Sequence, residues 1–481
     1  MLPDEQESQE KGKEVSRRDF LKYAGITGAA VGLSGGLGGL LAACGGGETT
    51  TSAAPTTTAA GPTTTAAGPT TTAAETTTTA AGPTPPSADK IKIGAARPIS
   101  GVNAIFEQAH FGPAYHLWVK DLNDAGGLEI AGKKLPIELT VYDDQSDLDT
   151  SMRLLTKLME EDKMDFVFAP CSTAFLFAAA GLVNAHNYIF LSAEGGATTL
   201  SKQMEKGDLP WVFQFLNYSD HNQMPEMAAI MSELGMTSVA IMYIDDLHGI
   251  EYNGQAQVFM GTPPLNAKIT SSTAVPPGIK DVSSILKKIQ QENPDLICSF
   301  QYPPENILTY QTLMQLNYNP KALLGGPGTS TQAIYDIFKG GLDGCFFEGA
   351  WTPKQTPAIQ DYYSNKLVPF VQGPANVDFW GALIYRAELE FFQQAIQEAA
   401  TLDQAKVAEV MRKAHYKTIM SDDTFMNPIQ ILDNSCYAGQ IGQWQNGYPE
   451  VADKEKRTTD KLWYPKPNWA DAPAIGTSST T

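Results

Sequence analysis

Short apolar runs alternate with amphipathic segments along the chain from Asp89 onward. The apolar runs have the length of strands, and among them are KIKIGAARPIS, LPIELTVYDD, MDFVFAP, YIFLSAE, SVAIMYIDD and DLICSFQYPP. Between them, TSMRLLTKLMEED and VSSILKKIQQENP place apolar residues at helical spacing. This alternation predicts an α/β fold of parallel sheets flanked by helices. One open sheet of about a dozen strands would be unusual, so we expect two doubly wound lobes with a ligand cleft between them.

Two local patterns refine this picture. Residues 106–123 (FEQAHFGPAYHLWVKDLN) are predicted to form one helix that ends at the following AGG. Several predicted strands are followed by polar or aromatic residues, namely Ser100, Ser172, Glu194, Asp245 and Tyr302. Ligands of parallel α/β sheets bind beyond the carboxyl ends of the strands. These positions are therefore the first candidates for a binding site.

The N-terminal segment has the pattern of an export signal. SRRDFLK contains the Arg17–Arg18 pair of the twin-arginine motif, and a glycine-rich, mildly apolar stretch follows it. That stretch ends in LAAC, which is similar to a lipobox, so Cys44 is the predicted lipid acceptor. We interpret residues 1–43 as a signal peptide; the alternative is a transmembrane anchor, although the repeated glycines disfavour it.

Residues 44–88 are rich in Thr, Ala, Pro and Gly, and AAGPTTT repeats with a period of seven. Because each repeat contains Pro and no large apolar residue, neither a coiled coil nor a core can form there. The segment is predicted to be a disordered tether, with an r.m.s. span of roughly 35–40 Å.

Composition and missing motifs narrow the function classes. The chain has 481 residues, a formal net charge of −19 and a pI near 4.7, which argues against nucleic acid and anionic lipid surfaces as partners. There is no P-loop, no G-x-G-x-x-G that opens a helix after a strand, and no Cys/His pair at zinc spacing. We therefore expect no cofactor and no metal. The cysteines that follow Cys44 are predicted to form one or two disulfides or to remain buried thiols.

The stretch FAPCSTA, residues 168–174, sets cysteine, serine and threonine side chains in a row after an apolar run. Such a cluster can contain a nucleophile, or it can offer hydroxyls and backbone N–H groups to a ligand. A nucleophile needs an oriented base nearby, and the sequence shows no pattern that supplies one.

Three further motifs carry a family resemblance. LNDAGGLEIAGKKLPIELTVYDDQSD, KDVSSILKKIQQENPDLIC and QYPPE resemble, in order and spacing, segments of the leucine/isoleucine/valine-binding proteins, the type I periplasmic solute-binding proteins of ABC importers. The resemblance covers roughly residues 90–447. It implies two α/β lobes joined by three crossover segments that close around a small ligand. Lobe I is expected at 89–213 and 350–433, lobe II at 214–349 and 434–450, and a C-terminal extension at 451–481.

The resemblance also implies a ligand site. Ser172 and Thr173 match the family's hydroxyls that hold the ligand carboxylate, and Gly195 stands where the family has a ligand-contacting threonine. The complete predicted set is Phe106, Ser172, Thr173, Ala193, Glu194, Gly195, His248, Tyr302, Gly326 and Trp380. Cys171 matches a family cysteine whose disulfide partner position is Ser146 here, which implies a buried free thiol.

The important departure from the family is Gly326, because the family has a glutamate there that pairs with the α-ammonium of an amino acid. A desolvated ammonium needs an anionic or strongly accepting partner. Either Glu194 or Asp246 takes over this role, or the ligand has no ammonium group.

The predicted function is that of a lipid-anchored, extracytoplasmic substrate-binding protein of an ABC importer, which captures a small carboxylate or amide. Its expected partners are ABC permease and ATPase subunits, and it is expected to be a monomer without enzymatic activity. The alternatives are an exported twin-arginine-dependent enzyme and a binding protein that delivers its closed state to a sensor.

Overall fold

A computed structural model describes residues 84–195, 198–216, 219–338 and 340–469. The predicted signal peptide, Cys44, nearly all of the predicted tether and residues 470–481 lie outside these ranges. The strands are β1 Ile91–Arg97, β2 Leu128–Ile130, β3 Lys133–Leu135, β4 Ile137–Asp143, β5 Phe166–Phe168, β6 Phe190–Ser192, β7 Val212–Gln214, β8 Ser238–Ile244, β9 Lys268–Val275, β10 Leu296–Phe300, β11 Leu323–Gly325, β12 Phe346–Glu348, β13 His415–Tyr416, β14 Thr424–Phe425, β15 Ile441–Gln445 and β16 Tyr448–Val451.

The longer α-helices follow these strands in alternation. They are Gly112–Asp124, Leu148–Glu160, Thr173–Ala185, Thr198–Glu205, Met224–Leu234, Leu247–Gly261, Ser283–Glu292, Pro303–Gln315, Gln332–Phe338, Gly381–Ala399 and Gln404–Met411. Shorter helical segments are Phe106–His110, Ser219–Gln223, Pro357–Asp361, Tyr362–Leu367, Val368–Phe370, Pro374–Asn376 and Asn434–Cys436.

The first sheet has five parallel strands in the order β4-β1-β5-β6-β7. Strand β1, which lies between β4 and β5, is buried at every position except Lys92, as expected for a strand covered by helices on both faces. Gly94 lies in this strand because a Cβ there would approach a methyl carbon of Leu158 to 2.6 Å. Helix Gly381–Ala399 packs on the same unit, since Trp118 Nε1 donates to Gln393 Oε1 at 3.1 Å. We call this five-stranded sheet, together with the helices packed on it, including Gly381–Ala399, the first lobe.

The second sheet has seven strands in the order β16-β15-β12-β11-β10-β8-β9. The strands from β12 to β9 are parallel, and β15 and β16 extend one edge in antiparallel orientation. We call this seven-stranded sheet, together with the helices packed on it, the second lobe. Helices cover both sheets, so the predicted α/β class with two parallel-sheet lobes is confirmed.

The chain passes between the two sheets three times, after β7, after β12 and before β15. Beyond β16, the described part of the C-terminal segment packs on the second lobe. Lys466 N donates to Lys321 O at 2.8 Å, and Trp469 Nε1 donates to Tyr318 O at 2.9 Å. Leu462 is buried in the core of that lobe.

The helix predicted over residues 106–123 is interrupted in the structure. Phe106–His110 forms a turn of π-helix, and the α-helix begins only at Gly112. A Cβ at position 112 would lie 2.0 Å from the carbonyl oxygen of Glu107, so the wider turn brings two backbone segments into direct contact. Hydrophobic periodicity does not distinguish such a turn from an α-helix, and the prediction of one continuous helix was wrong at this point.

Candidate functional site

A cavity lies between the two lobes, at the carboxyl ends of β5 and β6 and at the first turns of two helices that follow β8 and β10. This is the position at which parallel α/β sheets bind ligands. Its lining consists of Phe106, Phe111, Cys171, Ser172, Thr173, Glu194, Gly195, Leu216, His248, Tyr252, Tyr302, Pro327 and Trp380. The lobes lie so close together that the remaining space holds about two water molecules.

The cavity brings together eight of the ten residues that the sequence predicted for the site. The two exceptions are Ala193 and Gly326, which are buried beside the cavity and do not line it. Their immediate neighbours Glu194 and Pro327 line it instead. Contact of these side chains with a ligand remains a prediction.

Ser172 has an unusual backbone conformation, with φ at 90° and ψ at 154°. A serine rarely adopts this region, and residues held there concentrate at functional sites. The conformation lets the N–H of Ser172 donate to Glu194 O at 3.1 Å, while helix Thr173–Ala185 begins immediately after it. A Cβ on Gly195 would lie 3.0 Å from Ser172 O and from Thr173 N. The absence of a side chain at 195 thus follows from the close approach of these two loops.

An aromatic stack closes the cavity from the second lobe. The Tyr302 ring lies 5.4 Å from the His248 ring at an interplanar angle of 22°, and it meets the edge of Phe106 of the first lobe at 6.1 Å. His248 also packs on Tyr252 at 4.4 Å. Burial lowers the pKa of His248 to about 4, so its imidazole is neutral at physiological pH. Its Nε2 atom is buried without a hydrogen-bond partner, and the residue lines the cavity.

Trp380 forms the wall where the chain crosses between the lobes after β12. A Cβ on Gly349, which has φ at 65°, would lie 1.6 Å from Trp380 Cδ1. The indole therefore rests directly on the backbone of this crossover segment. Trp380 precedes helix Gly381–Ala399 of the first lobe and is buried.

A buried charged network lies in the first lobe behind the cavity, and its centre, Arg97, was missed by the sequence prediction. Arg97 Nε donates to Glu107 Oε2 at 2.8 Å, and Arg97 Nη1 lies 2.5 Å from Glu194 Oε1. Tyr115 Oη donates to Glu107 Oε1 at 2.5 Å. Burial raises the pKa of Glu194 to about 7, although Arg97 opposes the shift. The sequence does contain one feature that could have indicated Arg97, because it is the lone arginine at the end of an otherwise apolar strand.

Polar contacts also join the lobes outside the cavity. Glu251 of the second lobe accepts hydrogen bonds from the backbone N–H groups of Thr198 and Thr199 in the first lobe, at 2.8 and 2.9 Å. His110 Nε2 of the first lobe lies 3.2 Å from the hydroxyl of Thr331 in the second. These contacts hold the lobes together around the cavity.

The four cysteines within the described ranges are buried and form no disulfide: Cys171, Cys298, Cys345 and Cys436. Of the two states predicted for these cysteines, disulfides or buried thiols, the structure shows buried thiols. Desolvation raises the pKa of Cys171 well above that of an exposed thiol, so it is protonated and unreactive at neutral pH. Ser146, at the family's disulfide partner position, instead donates to Ser100 O at 2.8 Å.

Two further properties hold within the described ranges. No group of three or more His, Cys, Asp or Glu side chains there is arranged to hold a metal ion. None of the helices in that part of the chain combines the length and the apolar character required to cross a bilayer.

Comparison with known proteins places the chain in a family. Residues 90–447 match the family described as periplasmic binding protein, and residues 14–34 match the signal sequence of the twin-arginine translocation pathway. The second match falls within the predicted signal peptide and indicates an exported, extracytoplasmic protein.

Among its relatives is the Leu/Ile/Val-binding protein BraC3 of Rhizobium johnstonii, which is 25% identical over 332 residues, 67% of this chain and 83% of that protein. The Leu/Ile/Val-binding protein homolog 8 of Brucella abortus is 23% identical over 56% of this chain and 68% of its own length.

Solved structures agree with this fold. The leucine-binding protein LivK of Thermotoga maritima superposes with a TM-score of 0.63 at 16% identity, covering 75% of this chain and 97% of its own. The substrate-binding protein LivJ of Streptococcus pneumoniae, solved in complex with isoleucine, gives a TM-score of 0.62 at 17% identity and covers 76% and 99%. The chain belongs to the periplasmic binding protein family, in the group that includes the Leu/Ile/Val-binding proteins.

Proposed function

We propose that the protein is an extracytoplasmic substrate-binding lipoprotein of an ABC importer of the branched-chain and hydrophobic amino acid type. It captures a small carboxylate or amide, an amino acid or a related compound, by closure of its two lobes. The observation that carries this proposal is the cavity between the lobes, to which each lobe contributes buried side chains. A ligand that contacts both walls stabilises the closed arrangement, and a permease can distinguish that arrangement from the open one.

The relatives support the class of ligand. Several are named as Leu/Ile/Val-binding proteins, and LivJ of Streptococcus pneumoniae was solved with isoleucine. The cavity offers what such a ligand needs at one end, since the hydroxyls of Ser172 and Thr173 lie at the first turn of a helix, where N–H groups favour an anion. Phe106, Tyr302 and Trp380 supply an apolar wall for its body.

Anchoring and partners complete the proposal. Cys44 carries a lipid after removal of residues 1–43, and the tether of residues 44–88 lets the folded lobes reach a permease while the lipid remains in the membrane. The protein acts as a monomer together with permease and ATPase subunits, and it releases its ligand chemically unchanged.

A thermal-shift screen of residues 89–481 tests the binding activity. The panel contains amino acids, short-chain acids, aromatic acids and amides, and a ligand at 100 times its Kd stabilises the protein by about 2.7 kcal/mol. Recovery of the ligand unchanged after prolonged incubation separates binding from catalysis. If the panel produces no stabilisation, or if the ligand is converted, the proposed function is wrong.

A further inference from the structure

Arg97, the last residue of β1, contacts three segments of the first lobe that are far apart in sequence. Its Nε donates to Glu107 Oε2 at 2.8 Å. Its Nη1 donates to the backbone oxygen of Ala169 at 2.8 Å and forms an ion pair with Glu194 Oε1 at 2.5 Å. The arginine side chain is fully buried, so these contacts are made away from water, where charge-assisted hydrogen bonds are strong. One guanidinium thus joins the turn at Glu107, the segment after β5 and the segment after β6.

Each of these three segments contributes to the wall of the cavity. Phe106, the neighbour of Glu107, lines the cavity, and so does Glu194 itself. The segment that begins at Ala169 continues into three further lining residues, Cys171, Ser172 and Thr173. Arg97 is not among the lining residues. It therefore stands behind the first-lobe wall and holds the wall segments from the interior of that lobe.

The middle segment is the one that most needs such support. Ser172 has φ at 90°, and a residue in a sparsely populated conformation persists only where the surrounding structure fixes it. Its N–H donates to Glu194 O at 3.1 Å. Arg97 holds both sides of this contact, through the backbone of Ala169 and through the carboxylate of Glu194. The guanidinium thus fixes the two segments between which the strained residue lies.

The contacts depend on the shape of the guanidinium as well as on its charge. A guanidinium is planar and directs its N–H groups from separate nitrogens, whereas an ammonium is a single nitrogen. Arg97 uses Nε toward Glu107 and Nη1 toward the other two segments. The ring of Tyr115 lies 5.4 Å from its central carbon, and the Tyr115 hydroxyl donates to Glu107 Oε1 at 2.5 Å. A lysine at position 97 would keep the charge, but its one nitrogen cannot occupy the positions of both Nε and Nη1.

We propose that Arg97 is a positioning residue of the cavity, whose guanidinium fixes the Phe106 turn, the Ser172 segment and the Glu194 segment in the arrangement that binds a ligand. It acts through these segments and does not contact the ligand. The consequence for ligand affinity rests on the proposed function, whereas the positioning itself is measured without a ligand. Loss of the guanidinium loosens the wall, and the rest of the fold persists.

Cys171 reports directly on the middle segment, because it lines the cavity and its thiol is buried. Labelling of the folded protein by N-ethylmaleimide is followed at each cysteine by peptide mass spectrometry. In Arg97→Lys, Cys171 should react at least about tenfold faster than Cys298 and Cys345, the buried thiols of the second lobe, because its segment opens locally. In the wild type, Cys171 should show no such difference.

The matched control is Arg386→Lys. Arg386 is also an arginine of the first lobe that contacts two acids, Asp121 at 3.1 Å and Glu390 at 2.8 Å, and none of the three lines the cavity. Equal protection of Cys171 in Arg97→Lys and the wild type overturns the inference. Equally fast labelling of all three cysteines in Arg97→Lys, or fast labelling of Cys171 in the control, also overturns it, because the effect would then not be specific to the cavity wall.

Ligand affinity is measured by calorimetric titration with the compound of the thermal-shift panel that stabilises the wild type most. We expect this compound to bind Arg97→Lys at least about tenfold more weakly than it binds the wild type and Arg386→Lys. Wild-type affinity in Arg97→Lys overturns the inference and leaves the proposed function intact. If no compound of the panel binds the wild type, the proposed function fails, and the labelling of Cys171 still decides whether Arg97 positions the wall.

Discussion

The carboxylate of Glu251 accepts hydrogen bonds from both the N–H and the hydroxyl of Thr199, at 2.9 and 2.5 Å. Glu251 belongs to the second lobe, and Thr199 lies in the first turn of helix Thr198–Glu205 of the first lobe. The acid also faces the positive end of that helix, where a negative charge is favourable. The contact lies outside the cavity and fastens the lobes in their closed arrangement.

Glu251→Gln should therefore weaken ligand binding, although residue 251 does not line the cavity. Loss of a charge-assisted contact between the lobes destabilises the closed form, and we expect the binding free energy to fall by about 1–2 kcal/mol. Calorimetric titration measures this loss, and small-angle scattering should show a larger radius of gyration for the ligand-free variant. Glu205→Gln, at the exposed end of the same helix, is the control. Equal affinities of Glu251→Gln and the wild type would exclude the contact as a latch.

Sequence patterns predict much of this architecture because they are local. Apolar runs such as MDFVFAP and DLICSFQYPP contain β5 and β10. Residues that follow these two strands, such as Ser172 and Tyr302, line the cavity because strand ends converge in parallel sheets. Arg97 and Glu251 were missed because their partners are distant in sequence. Arg97 meets Glu194 within the first lobe, and Glu251 meets Thr199 across the two lobes.

Gly326 shows a different limit of prediction from the sequence. The family pattern predicts that a glutamate is missing at this position, but the pattern does not reveal that the backbone of Gln301 fills the space a side chain would need. Such a steric wall depends on the separation of β10 and β11 at their ends. Hydrophobic periodicity is the same whether that separation is large or small.

The backbone of Ser172 provides a test by stability. Because φ is 90° there, Ser172→Ala keeps the strain, and Ser172→Gly relieves it. We expect Ser172→Gly to be more stable than Ser172→Ala by about 1 kcal/mol in urea unfolding. The same pair of substitutions at Ser284, exposed inside helix Ser283–Glu292, should show the opposite order. If alanine is the more stable substitution at both positions, Ser172 is not strained.

Glu348 predicts a dependence of stability on pH. It is fully buried with no hydrogen-bond partner for either carboxylate oxygen, and burial raises its pKa well above the ordinary value of 4.5. The folded state therefore favours the protonated acid. Its contribution to stability is fully present below pH 4.5 and is lost as the pH rises toward its folded-state pKa, by up to about 1.4 kcal/mol per pH unit.

Glu348→Gln should accordingly remove this loss. Relative to the wild type, the variant should gain free energy of unfolding between pH 5 and pH 8, measured by urea unfolding at both values. Glu205→Gln, which changes an exposed acid, should show no such gain. A wild-type protein that is as stable relative to Glu348→Gln at pH 8 as at pH 5 would contradict the assignment.

The buried thiols give a prediction that needs no ligand. Cys171, Cys298, Cys345 and Cys436 should not react with N-ethylmaleimide in the folded protein, since burial protects them and raises their pKa values. After unfolding without a reductant, mass spectrometry should find all four alkylated. Fewer labelled sites in the unfolded protein would indicate a disulfide.

The most direct test of the central claim, capture of a small ligand between two closing lobes, is titration of one ligand into three proteins. These are the wild type, Ser172→Ala from the first lobe and His248→Ala from the second. If the ligand is held by both walls of the cavity, each substitution weakens binding by about 1–3 kcal/mol. Wild-type affinity in either variant would show that the ligand does not bridge Ser172 and His248, and would contradict the account.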